Sequence, residues 1–436
     1  MKDVPSRVLK RFIQLKREEA GHIELKQIRK NYYVYRATSE WDKERRKVRK
    51  ITEYLGSIDS DGIFTARRVR NGVQESSREV FEFGNGGLAQ YLLQDVEPLL
   101  TERTPYAREL IAAAIIKAID PKPLRLVASR WEKLYLSKQL DIRLAPKHLS
   151  TVLRHTGEDI QRWYELLAGL ATADDLLLYD LTAVFTQSQN IRLAERGYNA
   201  DHAYLDQIGV ILAFSCSTKV PVGIEVFYGS LRDITTFKDF IERLPKKDLG
   251  FIFDRGFSSF SLLGKLRKQG MHYIVPLRKN ATLSDLRWLR WKGTFLYRER
   301  PIRWGRKETE YGLLYAFEDP QLRGEEEKAL LKQVEAEKLT MADFEAKRRR
   351  AGVICILSDL DKEGIELFDL YKGREDVELA FDAMKNELES DKTYLRSDEA
   401  VRGYFFITFL ALRVYFKILQ RLREKGLTTR IAVDEV

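Results

Sequence analysis

Apolar and polar positions sort the chain into runs of different period. Residues 31–37 (Asn-Tyr-Tyr-Val-Tyr-Arg-Ala) and 48–55 alternate as strands do and flank a polar stretch at residues 38–43, which predicts a β-hairpin. Between residues 88 and 170 the repeat lengthens to that of a helix. Residues 107–119 are strongly apolar and stop before Pro121 and Pro123, and residues 146–170 predict two helices joined at Thr156 and Gly157. From residue 174 short, nearly continuous apolar runs take over, as expected of strands covered on both faces. They fall at residues 176–182, 209–215, 222–228, 249–253 and 272–277. A helical stretch at 235–244 precedes the fourth run. Another follows it, capped by Ser258 or Ser259 and closed by Gly270.

After Asn280 the alternation breaks. Residues 284–318 mix Trp288, Trp291 and Trp304 with many arginines and lysines, and residues 322–350 predict one very charged helix. A buried strand resumes at residues 352–357, and residues 400–423 predict a closing apolar helix. The expected layout is a basic hairpin region at 1–87, ending in a flexible joint at residues 84–87, then a helical DNA-binding region at 88–170. A catalytic core follows in two halves, 171–280 and 351–436, around an inserted β-rich subdomain at 281–350.

The chain has 436 residues, with 75 Lys and Arg against 65 Asp and Glu, a net charge of +10 and 11% aromatic residues. That balance, with a pI near 9.2, favours nucleic acid as a partner. Cys216 and Cys355 lie in apolar strand-like runs and read as reduced core residues; the histidines complete no zinc spacing. The first residues lack the apolar core of a secretion signal. The longest apolar run, residues 403–419, is interrupted by Arg413 and Lys417, so the expectation is a cytosolic protein without a membrane span.

Candidate chemistry concentrates at residues 369–388. Read as a helix at about 100° per residue, this stretch places Tyr371, Arg374, Glu378 and Lys385 within an arc of roughly 60°. Val377, Ala380, Phe381, Met384 and Leu388 gather on a neighbouring face that can dock on a core. One carboxylate in a row with a hydroxyl and two cations fits a metal-binding acid flanked by phosphate contacts, while a solvated helix with ordinary ion pairs is the alternative. Upstream, Asp180 lies inside an apolar strand, where an unpaired carboxylate is costly, so a cationic partner is expected. Asp254 ends another strand, at the sharp turn that Gly256 permits.

Elsewhere, Arg45, Arg46, Lys47, Arg49 and Lys50, beside Tyr32, Tyr33 and Tyr35, are candidate DNA-backbone contacts, with an aggregation-resistant strand edge as the alternative. Trp288 and Trp291 are candidates for stacking on displaced bases, or for holding a small sheet together. The helices of residues 146–170, with Lys147, His148, Arg154 and His155, read either as a groove-entering helix-turn-helix or as a packing unit.

Asp180 and Asp254 are 74 residues apart, and Glu378 lies another 124 on. In this order the chain resembles DDE transposases of the prokaryotic insertion-sequence type, in the branch marked by Tyr-x2-Arg-x3-Glu-x6-Lys. Tyr371, Arg374, Glu378 and Lys385 match that signature in full. Tyr179-Asp180-Leu181-Thr182 resembles the first acid's strand, and Asp254-Arg255-Gly256-Phe257 the second acid's element. The similarity spans roughly residues 145–415. Tyr404 stands in the following helix, where members often have histidine.

The resemblance implies an α/β fold with a ribonuclease-H-like mixed sheet, and two Mg2+ or Mn2+ ions held by Asp180, Asp254 and Glu378. It implies cleavage at transposon ends by water and attack of the freed 3′ hydroxyl on target DNA, without a covalent enzyme intermediate. Tyr371, Arg374 and Lys385 would contact phosphates. The implied partners are double-stranded DNA, as terminal inverted repeats and target, and a second copy of the chain in the synaptic complex, in a nucleoid-associated protein of the prokaryotic cytoplasm. A stand-alone metal-dependent nuclease and a domesticated, non-catalytic DNA-binding protein are the competing readings. A tyrosine nucleophile lacks its arginine-histidine constellation here, and a paired-carboxylate glycosidase leaves the basic balance unexplained.

Overall fold

The computed structural model describes residues 4–19, 21–28, 31–42, 47–67, 80–159, 161–188, 190–197, 205–230, 237, 240–244, 248–257, 259–279 and 289–436. The chain divides into two compact units, residues 1–80 and 81–436.

In the first unit the helix Ser6–Glu18 lays Val8, Phe12 and Leu15 on Ile23, Tyr32, Val34 and Ile58. These come from an antiparallel sheet of β1 (Ile23–Ile28), β2 (Asn31–Asp42), β3 (Lys47–Ile58) and β4 (Phe64–Ala66), in that order. The hairpin reaches further than its sequence predicts. Residues 38–42 are polar but stay in the ladder, with Glu40 opposite Arg49 and Trp41 opposite Val48, so cross-strand charge and apolar pairs hold the strand past the expected turn.

The second unit is built on a sheet of eleven strands among the described residues. Its centre is β5 (Leu176–Thr186), paired antiparallel to β7 (Asp206–Ser215), which pairs with β8 (Pro221–Tyr228) and the short β6 (Glu195–Arg196). On the other side of β5 lie β9 (Gly250–Ile252) and β10 (His272–Pro276), both parallel to their predecessors in the sheet. The two-residue β15 (Lys392–Thr393) pairs with the far end of β5.

Side chains on these strands alternate between two apolar clusters. Leu178, Leu212, Ile252 and Ile274 enter one; Leu177, Tyr179, Ala213, Phe251 and Tyr273 enter the other. Burial on both faces is why the runs read as continuously apolar. The expected helix at residues 235–244 falls largely outside the described residues. The helix after β9 is Phe260–Lys268, preceded by Ser259 and followed by Gly270 at φ +73°. Ser258, the other cap candidate, lies outside the described residues.

The β-rich insertion extends this same sheet. β11 (Gly293–Tyr297), β12 (Arg300–Thr309) and β13 (Gly312–Glu318) form a meander, β13 pairs with β14 (Val353–Ser358), and β14 pairs with β10. Leu314 and Ala316 face one cluster while Tyr315 and Phe317 face the other, which continues the core's alternation. The expected single charged helix is two, Pro320–Glu335 and Met341–Arg348. Asp319 caps the first, and a Thr340–Asp343 capping box starts the second.

Residues 84–87, expected to be a joint, instead open the helix Gly84–Leu92, with Gly86 buried near Leu134 and Leu136. The helix Ala107–Ile119 runs as predicted. The expected joint at Thr156 and Gly157 lies inside the helix Pro146–Glu158, and the next helix is Gln161–Leu170. Gly157 serves a close crossing with the closing helix Asp398–Glu424: a Cβ there would lie 1.9 Å from the Glu399 carbonyl oxygen, and one on Gly403 would lie 2.1 Å from that of Leu153. His148 reaches Glu109 at 3.2 Å and the His155 ring sits 5.0 Å from that of Tyr106. Both histidines therefore serve packing, while Lys147 and Arg154 stay exposed.

The closing helix carries a buried charge. Arg413 donates to Asp95 at 2.6 Å and to the Pro221 carbonyl, and Lys417 donates to the other Asp95 oxygen at 2.6 Å. Burial pushes the Asp95 carboxyl up, but the two cations outweigh it and hold the group below its ordinary 3.8. A depressed carboxylate contributes stability that is present above its unfolded value and lost as pH falls through its folded one. Asp95→Asn is expected to lower unfolding stability at neutral pH by on the order of 2 kcal/mol, by leaving Arg413 buried without its counter-ion. In denaturant titrations the gap to wild type shrinks below pH 3.8; a gap unchanged by pH would contradict the assignment.

Candidate active site

Two acids are related by strand register. Leu176 lies opposite Gly250 and Leu178 opposite Ile252, an offset of 74 residues that also separates Asp180 from Asp254. Each acid follows the last pair by two residues, so the parallel pairing brings the chain segments that carry Asp180 and Asp254 side by side. The third acid comes from a helix packed on the face that Leu178 and Ile252 define. Val377, Ala380, Phe381, Met384 and Leu388 are all buried there.

That helix is not one smooth cylinder. It runs as Gly364–Lys372 and Glu375–Asp382, with a tightened turn between them in which Arg374, Asp376 and Val377 each donate to the carbonyl three residues back. A π turn follows at Ala383–Glu387, where Leu388 donates to Ala383. Tyr371, Arg374 and Glu378 remain neighbours as the expected row has them, while a π turn separates Lys385 from them. Tyr371 joins the core, Arg374 stands at the turn, Glu378 lies in the first turn of the second segment, and Lys385 sits half-buried on the π turn.

Arg374 connects the acids. Its Nη1 donates to Asp254 Oδ1 at 2.8 Å and its Nη2 to Glu378 Oε1 at 3.2 Å. The guanidinium carbon lies 5.9 Å from the centre of the Tyr371 ring. Asp180 stands beside this pair, more deeply set. Its Oδ1 accepts from the Leu181 N–H at 2.8 Å. Burial pushes its carboxyl up to about 6; the Leu181 bond and the charge of Arg374 pull down, and the charges of Asp254 and Glu378 push up. The cationic partner expected for Asp180 is thus Arg374, acting through its field while bonded to the other two acids.

Such a donor set, three hard carboxylates sharing one field with the most buried of them held above its ordinary range, is the chemistry that magnesium and manganese take. Among the described residues, no three acids stand close enough as they are to hold one ion. The guanidinium bridges two of the acids instead.

Sequence reasoning missed the anchor of this helix. Asp376 accepts from Lys219 at 3.3 Å and from Arg423 at 3.0 Å, tying the segment to the strand connection before β8 and to the closing helix. The signal was present: Asp376 falls one and two turns before the buried Ala380 and Ala383, where a charge needs a partner. Glu375 also pairs with Arg298, at the tip of the β11–β12 turn.

The remaining candidates are dispersed. Lys47, Arg49 and Lys50 are exposed on β3, with Lys50 paired to Glu24. Arg45, Arg46 and Trp288 lie outside the described residues. The Arg303 guanidinium covers Trp291 at 4.7 Å. Trp304 is buried against Gly364, where a Cβ would lie 2.1 Å from the indole. Neither Cys216 nor Cys355 is joined in a disulfide, and no described helix is long and apolar enough to cross a membrane.

A family model described as "Transposase DDE domain" matches residues 172–414, more than half of the 436 residues. Comparison with the curated proteins finds no match. Among solved structures, the electron cryo-microscopy structure of the piggyBac transposase synaptic complex with hairpin DNA is similar at a TM-score of 0.42, with 12% identity over 78% of this chain and 76% of that one. A likeness that slight carries no argument.

The raised carboxyl of Asp180 has a consequence for stability. An acid whose folded value of about 6 exceeds its unfolded 3.8 costs stability as pH rises between them, and the loss persists above. With divalent ions chelated, Asp180→Asn is expected to be more stable than wild type above pH 7, by up to about 3 kcal/mol. The advantage fades toward pH 4. Thermal unfolding across that range checks it, and a variant no more stable at any pH would contradict the burial argument.

Proposed function

The chain belongs to the DDE transposase domain family and is a DNA transposase, and from that premise we propose that Asp180, Asp254 and Glu378 are its catalytic acids. The single observation that carries the reading is the link of Asp254 to Glu378 through Arg374, beside a half-buried Asp180 whose strand pairs with the strand that leads to Asp254. The family's use of divalent ions fits these oxygens.

On this reading Asp180, Asp254 and Glu378 hold two magnesium or manganese ions, which supply activation of the attacking oxygen and stabilisation of the leaving one. Asp180 is fixed by its strand and Asp254 by the strand end, while Glu378 rides on the helix that Asp376 anchors. Arg374 holds a phosphate beside the scissile bond with its two-pronged fork, and Lys385 offers a point charge. Tyr371, packed under Arg374, sets the guanidinium's orientation and hydrogen-bonds a phosphate. Water attacks the phosphodiester at the element's end, and the freed 3′ hydroxyl attacks target DNA in line.

The core is of the ribonuclease-H-like kind, in the Tyr-x2-Arg-x3-Glu-x6-Lys branch of prokaryotic insertion sequences. What supports the core assignment is the strand sequence: three antiparallel strands (β5, β7, β8), then β9 and β10 parallel beside β5. DNA binding falls to the N-terminal unit. Residues 1–80 carry 20 Lys and Arg against 12 Asp and Glu, a net +8, which leaves +2 of the chain's +10 for the other 356 residues. Lys47, Arg49 and Lys50, with Arg45 and Arg46, lead that charge toward the backbone, and Trp291 is the remaining candidate for a displaced base. Two copies of the chain pair the two ends, in the cytoplasm beside the nucleoid.

Purified protein is mixed with magnesium and duplexes that carry the element's ends. Asp254→Asn and Glu378→Gln are expected to reduce strand cleavage and joining by roughly a thousandfold or more while binding to the same duplex persists in a gel shift. Cleavage undiminished in either variant would refute the assignment.

A further inference from the structure

The fork of Arg374 spans Asp254 and Glu378 at 2.8 and 3.2 Å, on oxygens that the proposed function gives to divalent ions. The lone pairs that Asp254 Oδ1 and Glu378 Oε1 direct at the fork are not open to an ion, which is left with the second oxygen of each acid. An ion entering between these acids would also stand within a few ångströms of a fixed positive charge, which disfavours its binding.

The guanidinium is held by these acids and by little else. Its Nε is buried and has no hydrogen-bond partner. The acids it bonds are themselves substantially open to solvent, with side chains 44% exposed for Asp254 and 60% for Glu378, against 17% for Arg374. Ion pairs on the solvent side of such a cleft are weak and exchangeable. A phosphodiester offers the same fork two oxygens in a better-matched geometry. Arg374 stands at the tightened turn between two helical segments with its guanidinium against the Tyr371 ring, a position from which a change of side-chain torsion would carry its fork off the acids.

We propose that Arg374 is a resident counter-cation of the acidic site: it keeps Asp254 and Glu378 together in the free protein, excludes divalent ions there, and is drawn off by DNA phosphate, so that metal loading depends on bound DNA. This rests on the reading of the acids as metal ligands and adds the coupling between their two occupants. By reciprocity, ions bound at the acids free the fork and tighten the hold on DNA.

The test measures manganese binding to the full chain by the electron paramagnetic resonance of free Mn2+, with and without a mixed-sequence DNA duplex, duplex-only signal subtracted. Wild type is expected to bind Mn2+ about tenfold more tightly with duplex than without, within the range of ordinary site-to-site coupling. Arg374→Gln is expected to bind it about tenfold more tightly than wild type without DNA, with little further gain when duplex is added. Arg374→Lys keeps the charge but cannot bridge both acids with one planar fork, so it is expected between the two. Circular dichroism melting establishes that each variant is folded, and Arg374→Lys carries the test if Arg374→Gln is not.

An Arg374→Gln affinity equal to or weaker than wild type without DNA overturns the proposal. So does a wild-type affinity unmoved by duplex that the protein demonstrably binds. Asp254→Asn separates the two levels. If it abolishes Mn2+ binding while Arg374→Gln leaves affinity unchanged, only the coupling fails; if it leaves Mn2+ binding intact, the metal-ligand reading itself fails.

Discussion

A carboxylate set into an apolar sheet needs positive charge at hand, and much of this molecule's organisation follows from meeting that need at Asp180. The strand around it is covered on both faces, its own hydrogen bond comes from a single backbone N–H, and burial pushes its carboxyl up to about 6. Two further acids share the same field. Arg374 meets that charge by bonding two of the acids and tempering the third. Concentrated negative charge that a single side chain balances is a natural place for stronger cations to act.

The scaffold serves to keep those charges in place. Parallel pairing of β5 with β9 ends two residues before each of two acids and so brings the segments that carry them side by side. The third depends on a helix whose apolar stripe lies on the same face and whose Asp376 is held from two directions. Gly157 and Gly403 let the helices behind this layer approach closely, and Asp95 neutralises the cations of the closing helix.

Much of this was legible in the chain. Burial on both faces made the core strands readable as apolar runs, and helical spacing identified Val377, Ala380, Phe381, Met384 and Leu388 as a docking face. What failed was local. One ideal helix was assumed at residues 369–388, whereas a tightened turn and a π turn interrupt it on either side of Glu378, although Tyr371, Arg374 and Glu378 still meet. Polarity misled at residues 38–42, because cross-strand pairing keeps exposed polar residues in a ladder. Glycine misled at residues 84–87 and at Gly157, where it marks a helix start and a close crossing. The insertion's place in the sheet was invisible because it depends on pairing between β13 and β14, which no short-range pattern encodes.

The central claim is that Asp180, Asp254 and Glu378 serve one common cation site over DNA. The most direct measurement is the anomalous scattering of manganese in crystals of the full chain bound to a duplex. The account predicts manganese peaks among these three acids, with the Arg374 guanidinium moved onto a phosphate. Peaks only elsewhere, with Arg374 still joining Asp254 to Glu378 in the DNA complex, would contradict it.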